Sequence, residues 1–253
     1  MLQSFLSKIK DHRRKQGRRY LLEYILLFSI FAILSGADSY RKIAAYIEAN
    51  YTVLDETFGL NWKRAPAYTT IRDIIQGTTS DEIEKQFRQY SGSLVSSNTK
   101  KRFIAFDGKV LRGSFDHFNN QKAIQILSAF VTDSRIILAH EEIAEKTNEI
   151  PTAQDLIVKL GLSGCVFTFD AINCQEKTLK AAKDTGNDVI VQVKENQKTL
   201  FNDCQTTAET MSPDDVYQEP WTKARNRIES RQVDIFTVMV ISDREKWHLI
   251  EEI

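Results

Sequence analysis

Two apolar runs in this chain of 253 residues end in an aspartate, Phe103-Ile-Ala-Phe-Asp107 and Val166-Phe-Thr-Phe-Asp170. A buried strand delivers its last residue to the carboxyl edge of a sheet, where α/β proteins place their sites. If the two strands are neighbours, two carboxylates stand side by side. Like charges that close repel, and one pKa rises unless a cation sits between them. All-oxygen ligation is what Mg²⁺ or Mn²⁺ prefers. A pair of such ions about 3.5–4 Å apart can activate a nucleophile and stabilise the leaving oxygen of a phosphodiester. A single strand-terminal Asp is more often a turn residue or a helix cap; the pair is what points to a metal.

The surroundings suit phosphate chemistry. Gly108 has no side chain and would let a substrate backbone come close. Lys109 and Arg112 follow it, and Lys194 ends the last apolar run beside Asn196 and Gln197. These cations could hold phosphates from one sheet edge, although Asp-Gly-Lys also reads as an ordinary turn. Further on, Arg225-Asn-Arg227-Ile-Glu229-Ser-Arg231 sets Glu229 among three arginines. Glu229 is then a third metal ligand, a carboxylate orienting Arg227 on a DNA backbone, or part of an exposed charged strand. No Gly-rich nucleotide loop is present. His140 and Cys174 as a nucleophile–base pair lack an obvious third member, and the other histidines have no metal-ligand spacing.

Positioning these residues requires particular elements. Residues 103–106, 124–131 and 135–143 are β-rich runs in quick succession, as in an antiparallel meander. Pro151 opens a helix with Leu156, Ile157 and Leu160 inward, stopped by Gly161. Residues 165–169 form a continuous apolar strand, 175–183 a helix ended by Gly186, and 189–193 another strand. Three strands, helix, strand, helix, strand is the order of a ribonuclease-H-like α/β fold, a mixed sheet with flanking helices. Residues 203–222 read as polar and irregular, and 228–241 return to β character.

The preceding part is all helical. Residues 20–34 form one segment stopped by Gly36, and Ser39 caps a helix over 40–49. A short helix follows at 53–58. After Pro66, Thr69 caps a helix through Ile71, Ile74 and Ile75 that ends at Gly77, and 81–90 is amphipathic. Tyr68, Thr69, Thr70 and Arg72 at one helix start are compatible with a helix-turn-helix reader of DNA. The Ser-rich stretch 91–99 marks a boundary. Two domains are predicted: residues 1–95, helical and DNA-binding, and 100–253, catalytic.

Charge divides along the same line. Lys plus Arg and Asp plus Glu are both 34, so the net charge is zero. Residues 1–102 nevertheless carry +7 and residues 103–253 carry −7. Arg13, Arg14, Arg18 and Arg19 belong to a basic segment at 8–19 that is suited to a polyanion. Three cysteines without close spacing fit a reducing cytosol and offer neither a disulfide framework nor a zinc site. The apolar run at 24–35 is too short to span a bilayer and lies too far along the chain for a signal peptide. No membrane role and no organic cofactor are expected.

With these residues laid out, the chain resembles the H-repeat-associated family of bacterial insertion-sequence transposases, a branch of the DDE type. The resemblance runs from Asp11 to the end. It is carried by Asp11-His-Arg-Arg-Lys-Gln-Gly-Arg-Arg-Tyr20, Gly36-Ala-Asp-Ser-Tyr-Arg-Lys-Ile43, Pro66-Ala-Tyr-Thr-Thr-Ile-Arg72 and Asp107-Gly-Lys-Val-Leu-Arg-Gly113. It continues through Lys146-Thr-Asn-Glu-Ile-Pro151, Asp170-Ala-Ile-Asn-Cys-Gln175, Val193-Lys-Glu-Asn-Gln197 and Arg227-Ile-Glu-Ser-Arg231.

The resemblance implies a helical DNA-associated domain, a ribonuclease-H-like catalytic domain, and Mg²⁺- or Mn²⁺-dependent strand cleavage and transfer at element ends. Asp107 and Asp170 fall on the first two acidic positions. Family members resemble one another for a further hundred or so residues, where a Trp-x-Ile-Glu-Asn signature supplies the usual third acid. The expectation is therefore a truncated copy in which Glu229 is the only motif-borne substitute. The implied partner is the double-stranded DNA of the terminal repeats, bound by a homo-oligomer in a bacterial cytoplasm, at the nucleoid. Two alternatives stand beside this: a catalytically dead DNA-binding remnant that modulates an intact copy, and a nuclease of the same fold acting on RNA–DNA hybrids.

Overall fold

The computed structural model describes residues 2–95, 101–114, 122–144, 148–224, 227–237 and 241–253. They fall into two compact units, residues 1–97 and 98–253.

The first unit is helical: α1 (Leu2–Leu6), α2 (Leu22–Leu34), α3 (Tyr40–Ala49), α4 (Tyr51–Phe58), α5 (Tyr68–Gln76) and α6 (Ser80–Leu94). Helix α2 is apolar nearly all round, the pattern of a buried helix, and its Ile25, Phe28 and Ala32 are fully buried. Phe28 meets Tyr24, Phe58 and Trp62 at 5.3–5.9 Å between ring centres, so one side chain joins α2, α4 and the following loop. Ser39 caps α3 as expected, its Oγ accepting from the Lys42 N–H at 3.3 Å. Thr69 does not cap α5. The helix begins one residue earlier, after Ala67 in extended conformation, and has no side-chain cap.

The basic segment at the start of this unit is partly self-satisfied. Arg13 makes a bidentate pair with Asp11 at 2.8–2.9 Å and also donates to the carbonyls of Gly17 and Tyr20. Arg18 donates to the carbonyls of Arg13 and Asp11. Two of the four arginines expected to hold DNA therefore build the loop that leads into α2. Arg14 is exposed, and Arg19 lies over the Tyr20 ring at 5.7 Å.

The second unit contains β1 (Arg102–Val110), β2 (Gln125–Val131), β3 (Ile136–Ile143), α7 (Glu149–Leu160), β4 (Cys165–Phe169), α8 (Glu176–Asp184), β5 (Asp188–Val191) and α9 (Lys198–Thr210). Four short strands follow: β6 (Asp215–Gln218), β7 (Thr222–Ala224), β8 (Arg227–Glu229) and β9 (Gln232–Ile235). The central sheet has the order β3-β2-β1-β4-β5; β6 pairs β9 and β7 pairs β8 separately. Strands β1, β2 and β3 form an antiparallel meander, and β4 and β5 add parallel to β1. This is the mixed sheet with flanking helices expected from the sequence, and it follows an all-α unit. The stretch 203–222, expected to be irregular, is instead the latter half of α9 and strand β6. Leu200, Cys204 and Thr207 recur at helical spacing there, and Leu200 and Thr207 are buried.

Two buried features hold the sheet in register. Phe106 stacks on Phe169 at 4.4 Å and meets Phe167 edge-on at 5.3 Å, fastening β1 to β4. Asn187, 2% exposed, accepts from the Cys165 N–H at 3.0 Å and donates to the Leu162 carbonyl at 2.7 Å. It thereby ties the start of β4 to the turn before β5. Asn187→Ala would leave both backbone groups unpaired, and a buried orphan costs about 1–3 kcal/mol. Urea denaturation followed by circular dichroism should show the second unit weakened by about 2–4 kcal/mol; an unchanged midpoint would contradict this role. In the first unit, Arg13→Ala is expected to lose about 2 kcal/mol, as for hydrogen bonds to a charged group. Arg14→Ala should change stability by less than about 0.5 kcal/mol in the same experiment.

Candidate active site

Strands β1 and β4 pair from Arg102↔Cys165 to Ala105↔Thr168. Carried two residues further, the same register sets Asp107 opposite Asp170. Asp170 follows the last residue of β4 and starts the short 3-10 turn Ala171–Asn173. Both aspartates are exposed. Asp107 faces Ser128 of β2, which in turn faces His140 of β3. Directly paired residues share a face, so the three form a row across the sheet, with Ser128 Oγ 3.0 Å from His140 Nδ1.

The opposite face is covered by α7, whose Lys159 pairs with Glu141 at 2.6 Å, and Glu141 lies opposite Leu127 and hence Gly108. Helix α7 starts two residues earlier than Pro151 suggested. Asn148 is its cap, its Oδ1 accepting from the Ile150 N–H at 3.1 Å. Glu149 is thereby brought into the first turn. A Cβ on Gly108 would lie 2.5 Å from Glu149 Oε2, so the space that glycine leaves is filled by a carboxylate of this chain. Glu149 Oε1 accepts from Asn173 Nδ2 at 2.8 Å, and the same nitrogen is 3.4 Å from Asp170 Oδ1. Burial raises the Glu149 carboxyl above its ordinary pKa, the Asn173 bond opposes this, and the charges of Asp170 and Asp107 raise it again. The sequence reading did not single out Glu149; an Asn cap followed by an acid before the apolar face was the available signal.

The expected phosphate-holding cations are distributed unevenly. Lys109 pairs with Asp107 at 3.2 Å, both exposed. Lys194 and Asn196 share with Asp170 and Phe201 an open groove of about 530 Å³, and Asn196 donates to the Ala171 carbonyl at 2.6 Å. Arg112 is exposed just beyond β1. Glu229 and Arg227 lie on β8, outside the central sheet, where Glu229 is flanked by Arg227 at 4.0 Å and Arg231 at 3.7 Å. Arg225 lies outside the described residues. Cys174 is fully buried, and burial pushes its thiol up to about 11, which removes it as a nucleophile.

Asp107 lies within β1, three residues before its end, instead of closing the strand as expected, whereas Asp170 does follow the end of β4. Both are exposed carboxylates, hard oxygen donors whose chemistry fits Mg²⁺ or Mn²⁺. Among the described residues no group of three or more His, Cys, Asp or Glu side chains is arranged to enclose a metal ion. The geometry is that of an open edge with two outward carboxylates, backed by a third from the helix side.

Residues 3–91, nearly all of the helical unit, match the DDE_Tnp_1-associated family. The H repeat-associated putative transposase YhhI of Escherichia coli is 30% identical over 79% of this chain and 52% of its own length. The H repeat-associated putative transposase YbfD of the same organism is 29% identical over 79% of this chain and 78% of its own. The chain thus spans about half the length of YhhI, as it does of protein YbfL, which is 31% identical. Among solved structures, the piggyBac transposase synaptic complex with hairpin DNA is similar over 86% of this chain at 12% identity, with a TM-score of 0.40.

The raised Glu149 carboxyl makes stability depend on pH. Folded chain takes up this proton at a higher pH than unfolded chain, so ionisation of Glu149 costs stability as pH rises above the ordinary carboxylate range. Glu149→Gln, neutral throughout, should therefore be more stable than wild type at pH 7. The difference should close as pH falls through the folded value to about 4, where both side chains are neutral. Urea midpoints measured across that range test it, and a gap independent of pH would contradict it.

Proposed function

Because the chain belongs to the H repeat-associated family of bacterial insertion-sequence transposases, we propose that Asp107 and Asp170 are the paired carboxylates of a DDE-type site. That site cuts and transfers DNA strands at the ends of a mobile element. The observation that supports this reading is the parallel β1–β4 register, paired as far as Ala105↔Thr168, which extended by two residues brings Asp107 and Asp170, both exposed, opposite each other. The strand order β3-β2-β1-β4-β5, read as ribonuclease-H-like, supports it.

A divalent ion held by the pair supplies Lewis acidity at the phosphodiester and lowers the pKa of the attacking water. The chain's own residues do the holding. Asp107 and Asp170 present carboxylate oxygens, and Lys109 can move from Asp107 to a substrate phosphate as the charge on that carboxylate is neutralised. Lys194, which lines the same groove as Asp170, can carry a substrate phosphate, with Arg112 beyond β1. Glu229 and Arg227 belong to the β7–β8 arm, where the alternation of arginine and glutamate suits a DNA backbone. In the helical unit, Arg14 and Arg19 are the arginines left to face DNA, because Arg13 and Arg18 bind their own loop. The partner in this reading is double-stranded DNA, held by a homo-oligomer at the bacterial nucleoid. No helix among the described residues is long and apolar enough to cross a membrane.

A second reading, DNA binding without cleavage, is supported by the solvent-exposed Arg14, Arg19, Arg227 and Arg231. One experiment separates the two. Element-end DNA is incubated with the chain and Mg²⁺ or Mn²⁺, comparing wild type with Asp107→Asn and Asp170→Asn. The transposase reading expects each variant to lose on the order of 10³-fold of the cleavage rate. Equal product from all three chains would remove both aspartates from catalysis. Salt-sensitive binding without product would select the second reading.

A further inference from the structure

Glu149 reaches both carboxyl-bearing strands from behind. Its Oε1 takes the Asn173 amide at 2.8 Å, and that amide nitrogen stands 3.4 Å from Asp170 Oδ1. Its Oε2 lies 2.5 Å from where a Cβ would sit on Gly108, the residue after Asp107. It is not placed as a third outward ligand. Alternation along β1 turns Asp107 to the face opposite α7, and Glu149 belongs to α7.

Asn173 is 1% exposed, and its carbonyl oxygen is buried without a hydrogen-bond partner among the described residues. The amide is therefore held by what its nitrogen donates to, not by its oxygen. Without Glu149, a half-turn of the amide would bring that oxygen toward Asp170 and replace an attraction with a repulsion.

We propose that Glu149, acting through Asn173, is a positioning residue that fixes the carboxylate of Asp170 so that it and Asp107 can hold one divalent cation. This rests on the reading of the two aspartates as a paired-carboxylate site. Hydrogen-bonded partners behind metal ligands typically contribute 10–100-fold to metal affinity, so the arrangement is measurable without any DNA substrate.

The test is Mn²⁺ binding to the full chain, followed by the electron paramagnetic resonance of free Mn²⁺, with thermal midpoints recorded alongside. Glu149→Ala and Asn173→Ala are each expected to weaken Mn²⁺ binding about tenfold or more. The double variant should be no weaker than either single one, because both act through one bond. Glu149→Gln keeps the acceptor and should recover most of the loss. Gly108→Ala pushes Glu149 aside with every donor still present, so it should reproduce the loss even if Glu149→Ala does not fold.

Unchanged Mn²⁺ affinity in Glu149→Ala or Gly108→Ala, with Asp107→Asn and Asp170→Asn weakened, would overturn the positioning role and leave the paired-carboxylate site standing. Additive losses in the double variant would overturn the route through Asn173. Aspartate variants that bind Mn²⁺ like wild type would overturn the site itself, and this proposal with it.

Discussion

Parallel pairing of β1 with β4 fixes, in a single ladder, which residues of the two strands share a face. Ile104, Phe106, Phe167 and Phe169 are buried on one side of that ladder. Slipping β1 by one residue would turn Phe106 toward water and Asp107 toward the core, and slipping β4 would do the same to Phe167, Phe169 and Asp170. The cost of exposing buried aromatic rings on either strand therefore guards the placement of two charges that contribute nothing to the core. Asn187 adds a second lock at the far end of β4, where its amide satisfies backbone groups that would otherwise be orphaned. Packing and buried polar bonds set the register, and the register sets the site.

Much of this could be read from residue order. An apolar run that stops at an aspartate announces a buried strand, although only β4 ends there and β1 runs on past Asp107 to Val110, and three β-rich runs in quick succession announce a meander. What alternation alone does not specify is which strand lies beside which. The β1–β4 neighbourhood follows from matching the order of elements to a ribonuclease-H-like mixed sheet with flanking helices. The helical unit was legible for a related reason: the apolar face of α3 and the apolar body of α2 have no stable alternative to burial.

The misreadings share a cause, which is the competition between local signals. Pro151 looked like a helix start, yet proline is also tolerated later in a first turn, where no intrahelical donor is needed. Asn148 was the true cap, and the two-residue error hid Glu149. Thr69 looked like a cap, but the extended backbone at Ala67 already set the start of α5. Helix α9 was missed because its buried side includes Cys204 and Thr207, which score as weakly apolar or polar although they recur at helical spacing. Charge counting weighs Arg13, Arg18 and Asp11 as separate charges and does not reveal that both arginines bind Asp11.

The contact between Glu149 and the bare α-carbon of Gly108 has a consequence for how such a sequence can drift. Neither position is free to change size alone. A methyl group on the strand evicts the carboxylate, and a shorter acid on the helix leaves a gap beneath the strand. Among descendants of this chain, changes of side-chain size at these two sites should appear together or not at all, a correlation between a glycine and a distant glutamate that no hydropathy profile would suggest.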